Sequence, residues 1–106
     1  MAIAVNSSNF DQEVKKSPLP VIIDIYATWC GPCKMMGPVF EELSKELADS
    51  YKFVKINIDE ERDLAIQYSV SSIPTFLFMK NGNLVAKETG YMSKDSLKAK
   101  IEHHLK

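Results

Sequence analysis

Val21 to Ala27 reads Val-Ile-Ile-Asp-Ile-Tyr-Ala, a nearly unbroken apolar and β-branched run. Such a run suits a strand covered on both faces of a sheet, so it is expected to be the central strand. From Cys33 to Leu47 the period changes. Met36, Val39, Phe40, Leu43 and Leu47 recur at helical spacing, while Lys34, Glu41, Glu42, Lys45 and Glu46 are free to face water. A long helix is predicted there, with Pro38 inside it expected to kink it near Lys34 to Met35 rather than end it.

The remaining elements follow from the same patterns. Ile3 to Val5 reads as a short first strand, and Ser7, Ser8 and Asn9 offer capping oxygens for a helix through Phe10 and Val14 that Pro18 and Pro20 stop. Phe53 to Ile58 is a further strand, and Arg62 to Tyr68 a short helix. Thr75 to Met79 and Leu84 to Lys87 flank Asn81-Gly82, a pair that accepts positive φ at both central turn positions and so marks an antiparallel hairpin. After Gly90, Ser93 can cap a last helix on which Leu97, Ile101 and Leu105 stack. The order β-α-β-α-β-α-β-β-α implies an α/β fold: a central mixed β-sheet flanked by helices on both faces.

Length and composition narrow the function. With 106 residues, 45% hydrophobic and 25% charged, a single domain over residues 1–106 is expected. Thirteen basic against fourteen acidic residues, with no basic stripe, argue against nucleic acid as a partner. No apolar stretch approaches the roughly 20 residues that cross a bilayer. The segment from Met1 to Asn6 has neither a basic region nor a long apolar one, so a cytoplasmic location is expected.

The two cysteines, Cys30 and Cys33, close too small a loop to staple a fold, and a reducing compartment disfavours a permanent disulfide. Metal binding or redox catalysis remains. A zinc site needs two more ligands, but the only histidines, His103 and His104, are adjacent on the last predicted helix and diverge by about 100°. They read instead as solvated residues at a helix C-terminus. Redox chemistry fits the placement better. Both sulfurs stand where the central strand gives way to the long helix, and unpaired amides there favour a thiolate. An i, i+3 spacing on the first turn also suits reversible disulfide formation.

Access orders the roles. Cys30 precedes the helix and is expected to expose its sulfur and attack, whereas Cys33, one turn in, resolves. Gly31 lets the chain turn tightly, and Pro32 fixes φ and withholds an amide, which makes the dithiol a better reductant. Trp29, beside the thiol, is expected to flank a substrate groove. Asp24 is anomalous, because a carboxylate in a doubly buried strand costs several kcal/mol unless it is paired or protonated. Lys55 is a candidate ion-pair partner for it.

Asp24, the run Trp29-Cys30-Gly31-Pro32-Cys33-Lys34, Pro38, Lys55 to Asp59, Ile73-Pro74-Thr75, Asn81-Gly82 and Gly90 occur together in order, and with them the sequence resembles the thioredoxin family over essentially its whole length. The resemblance implies the thioredoxin fold and protein-disulfide reduction by dithiol–disulfide exchange. It makes Asp24 the buried general base for Cys33, with Lys55 tuning it. It implies a cis Ile73–Pro74 bond beside Cys30, with Ile73, Pro74, Trp29 and Gly90 forming the substrate groove. It also implies recharging by a thioredoxin reductase drawing on NADPH, with no cofactor or metal held by the chain and with disulfide-containing proteins as substrates. A monomer is expected. An oxidase or isomerase of the same fold is disfavoured by Pro32, and a binding module with incidental thiols is the other rival. Tyr26, Thr28, Gly37, Ser71-Ser72 and Glu60-Glu61-Arg62 depart from the commonest family pattern, the serines at the groove edge and the last three at a helix start.

Overall fold

The computed structural model describes residues 2–106, and Met1, which opens the segment read above for an export signal, lies outside them. β1 (Ile3–Ala4), β2 (Val21–Tyr26), β3 (Lys52–Asn57), β4 (Thr75–Lys80) and β5 (Asn83–Thr89) form one sheet in the order β1-β3-β2-β4-β5. β3 runs parallel to both β1 and β2, whereas β4 runs antiparallel to β2 and β5. The sheet is therefore mixed. Three helices pack on it: α1 (Gly31–Glu46), α2 (Arg62–Gln67) and α3 (Lys94–Leu105).

Strand alternation divides the core into two layers. Val21, Ile23 and Ile25 point with Val54, Ile56, Leu77 and Met79 towards Phe10, Val14 and Leu64. Ile22 points the other way with Phe53, Phe76 and Phe78, against Met36, Phe40 and Leu43 of α1 and Leu97, Ile101 and Leu105 of α3. Asp24 has the parity of Ile22, which turns it towards α1. The predicted central strand is thus covered on both faces and paired on both edges.

α1 continues through Pro38, whose missing amide leaves the helix otherwise intact to the Leu47 N–H donating to the Leu43 carbonyl at 2.9 Å. Ser93 caps α3 as its sequence position suggests, its hydroxyl accepting from the Ser96 N–H at 3.1 Å. The N-terminal segment differs from the expected capped α-helix. Asp11–Lys15 form a π-helical turn without a side-chain cap, closed by the Lys16 N–H donating to the Asp11 carbonyl. The polar side chains are engaged one turn earlier: Asn9 Oδ1 accepts from the Asn6 N–H at 2.8 Å and Asn6 Oδ1 from the Ser8 N–H at 2.9 Å. Local side-chain bonding has outcompeted the helix start. His104 also differs from the solvated residue expected. Its Nε2 lies 2.9 Å from Glu88 Oε2 and its ring packs 4.9 Å from Phe78, because the buried face of α3 extends beside it through Leu105.

The β4–β5 turn has both residues at positive φ, Asn81 at 53° and Gly82 at 80°. A side chain on Gly82 would also meet the Lys15 carbonyl at 3.2 Å. Gly82→Ala is expected to destabilise the protein by about 1–2 kcal/mol in urea unfolding. Gly37→Ala, inside α1 with open space around a new Cβ, is expected to stabilise it by up to about 1 kcal/mol. Equal effects at the two positions would contradict this account of the turn.

Candidate active site

β2 ends at Tyr26, and four residues later Cys30 occupies the N-cap of α1 with extended backbone angles, φ −90° and ψ 116°. Its sulfur does what a capping oxygen does elsewhere, accepting the Cys33 N–H at 3.2 Å. Growing negative charge on that sulfur would strengthen the bond and meet the positive end of a 16-residue helix that carries no acidic residue in its first turn. Cys30 and Cys33 are joined as a disulfide, with Cα atoms 5.2 Å apart. Gly31 and Pro32 are the first two helical residues. Gly31 has no positive φ, and a Cβ there would meet nothing within 4 Å; the turn expected of it lies instead at Thr28 and Trp29, closed by the Cys30 N–H donating to the Ala27 carbonyl at 3.4 Å.

Exposure does not separate the two sulfurs as expected. Each cysteine is only 6% exposed, because Ala27, Tyr26, Ile58 and Ile73 pack around the pair. Their surroundings separate them. Cys30 Sγ lies 4.0 Å from the Ile73 carbonyl oxygen, on the side where the Ile73–Pro74 peptide bond is cis. Pro74 in turn accepts the Gly90 N–H at 2.8 Å, and Gly90 sits at φ 94°, a conformation that requires glycine. Its conformation therefore accounts for glycine, alongside any part it has in keeping a groove open. Cys33 faces inward, lining a cavity of about 320 Å³ with Asp24, Tyr26, Thr28, Glu41 and Lys55.

Asp24 is 5% exposed, and among the described residues its Oδ1 is a buried oxygen without a hydrogen-bond partner. Burial pushes its carboxyl up to about 7, with the charge of Lys55 pulling the other way. β2 and β3 place Asp24 opposite Lys55, yet the Lys55 ammonium lies 3.9 Å from Glu41. The candidate Asp24–Lys55 ion pair is thus replaced by a Glu41–Lys55 pair among the described residues. Glu41, expected to face water, is instead partly covered at the cavity wall. The spacing Cys33, Gly37, Glu41 on one helical stripe is the sequence signal that would have placed it there.

Trp29 is 68% exposed beside Cys30, and its indole N–H donates to Asp59 at 2.8 Å. Asp59 was not singled out by its sequence context. Together they border a depression of about 580 Å³ floored by Ile58, Ala65, Ile66 and Val70. Among the described residues, no group of three His, Cys, Asp or Glu side chains could hold a metal ion, and no helix is long and apolar enough to cross a membrane.

Comparison with known proteins gives the same answer along the whole chain. The family model described as thioredoxin matches residues 1–103. Thioredoxin 1 of Synechococcus elongatus is 41% identical over 105 residues, covering 99% of this chain and 98% of the relative. The thioredoxin of Haemophilus influenzae is 42% identical over 101 residues, 95% and 94% of the two chains. That of Rickettsia prowazekii is 46% identical over 93 residues, 88% and 89% of them.

The raised Asp24 carboxyl makes a prediction with a definite sign. With about 7 in the folded chain against an ordinary 3.8, the native state binds more protons than the unfolded state between those values. The stability associated with the protonated acid is whole below pH 3.8 and is lost as pH rises to 7, on the order of 4 kcal/mol. Asp24→Asn is therefore expected to be more stable than the parent by a few kcal/mol at pH 7, with the advantage vanishing near pH 4. Urea unfolding across that range measures it, and a mutant less stable at pH 7 would make the carboxylate a structural ion-pair partner.

Proposed function

The chain belongs to the thioredoxin family and is a thiol–disulfide oxidoreductase that carries out dithiol–disulfide exchange through Cys30 and Cys33, and we propose the following division of labour among its residues. Cys30 is the nucleophile. The observation that carries this reading is the Cys33 N–H held 3.2 Å from Cys30 Sγ at the start of α1, which stabilises a thiolate on that sulfur and not on its partner. In the dithiol form, the Cys30 thiolate attacks one sulfur of a substrate disulfide. That bond breaks, a mixed disulfide forms, and the first substrate sulfur leaves as a thiolate that takes up a proton.

Asp24 serves the second half. Its carboxylate accepts the Cys33 proton across the cavity they share, and the resulting thiolate attacks Cys30 Sγ. The mixed disulfide breaks, the second substrate sulfur leaves and is protonated, and the Cys30–Cys33 disulfide closes. Two electrons and two protons have passed to the substrate. A base with a pKa near neutrality is suited to this step, and Lys55 tunes it from the cavity mouth.

Trp29, Ile73, Pro74 and Gly90 surround the entry to Cys30 and are proposed as the groove that holds the substrate backbone. Gly31 and Pro32 start the helix without adding a further amide at position 32 to stabilise the thiolate, which favours reduction of substrates. The oxidised protein is recharged by a thioredoxin reductase with electrons from NADPH, itself never bound by this chain. It works as a single-domain monomer in the cytoplasm.

With a bacterial thioredoxin reductase and NADPH, the protein is expected to catalyse insulin reduction, followed by NADPH consumption. Cys30→Ser should abolish turnover, while Cys33→Ser should accumulate a mixed disulfide through Cys30. Trapping through Cys33 in the Cys30→Ser protein would reverse the assignment.

A further inference from the structure

The partner of Lys55 is unexpected. The parallel register of β2 and β3 sets Asp24 and Lys55 side by side in the sheet, and Asp24 Oδ1 lacks a hydrogen-bond partner among the described residues. The ammonium nevertheless sits against Glu41, 3.9 Å from Oε1, with the Lys55 side chain 40% and the Glu41 side chain 34% exposed. All three groups line the cavity that reaches Cys33. The other Glu41 oxygen accepts the Ala2 N–H at 3.4 Å, so the carboxylate is bound from the residue just before the first strand as well as paired with Lys55 on the third.

We infer that Glu41 is a positioning residue for the exchange reaction: its carboxylate holds the Lys55 ammonium at the mouth of the cavity and so leaves Asp24 without a contacting cation. An ammonium in contact would favour the carboxylate of Asp24 and make it a weaker proton acceptor. A missing ammonium would leave burial unopposed and keep the acid protonated to higher pH. Glu41 sets the balance between the two. The charged and titratable groups around the cavity are Asp24 and Tyr26 from β2, Cys33, Lys34 and Glu41 from α1, and Lys55 from β3, while β4 contributes only Phe76 opposite Asp24. Lys55 is among the groups that act electrostatically on Asp24, and Glu41 is its partner among the described residues.

This role rests on the proposed use of Asp24 as the base only where it touches rate, so its first readout is independent of turnover. The Asp24 carboxyl is followed by carbon NMR through a pH titration of the oxidised protein, with Glu41→Gln, Lys55→Met and the double variant alongside. Glu41→Gln is expected to move the Asp24 midpoint down by about one pH unit, as an ammonium newly in contact does to a carboxyl. Lys55→Met should move it up, and adding Glu41→Gln to that background should then change nothing. An unmoved midpoint in Glu41→Gln would overturn the inference, as would the same downward movement without Lys55. The second readout is the pH profile of mixed-disulfide resolution, whose acid limb should follow the Asp24 midpoint in Glu41→Gln. If the midpoint moves and the limb does not, the positioning by Glu41 stands and the general-base reading of Asp24 falls.

Discussion

The double coverage of β2 is the constraint from which the rest of the structure follows. With strands paired along both edges and helical layers on both faces, every side chain from Val21 to Ile25 lies out of water. Apolar residues accept that environment at no cost. Asp24 does not, and its carboxyl responds by holding its proton to about pH 7. The strand that aims the chain into α1 is thereby also the strand that raises the pKa of one acid.

The chemistry is distributed around the end of that strand. Cys30 caps the helix that β2 leads into, and it does so through sulfur, which places that sulfur where helix amides already point. On one side lie the Ile73 carbonyl and the Pro74–Gly90 contact. On the other, Cys33 opens on the cavity shared with Asp24. In the proposed reaction the attacking and resolving sulfurs need different surroundings, and one helical turn between the cysteines supplies the separation. The equal burial of the two sulfurs in the disulfide form follows from their packing against each other and against Ala27.

Much of this was legible before any coordinates. The run around Ile23 announced a buried strand, the Asn81-Gly82 pair its hairpin, and Ser93 the start of α3, because each depends on residues within a few positions of one another. The cysteine spacing, with too few further ligands for zinc, pointed to reversible disulfide chemistry, since two residues one helical turn apart can bond with little movement of the backbone. The π-helical turn at Asp11–Lys15 escaped the same reasoning. Asn6 and Asn9 bond to nearby backbone amides rather than cap a helix, and pattern does not rank those alternatives.

The sequence by itself determined the strands, the three helices packed on them, the reactive pair and the presence of one anomalous acid, because propensity, periodicity and helical spacing are local properties of the chain. Only the tertiary structure decided partners. Glu41 against Lys55, Asp59 against the Trp29 indole and Glu88 against His104 each join residues from different elements, so no local pattern brings them together. The difference is largest at Asp24. Its cost of burial could be read from the strand, but whether a cation would offset that cost depended on which way one lysine turned. A carboxylate eight residues along a helix from Cys33 settled it, because charges pair by distance in space and not along the chain.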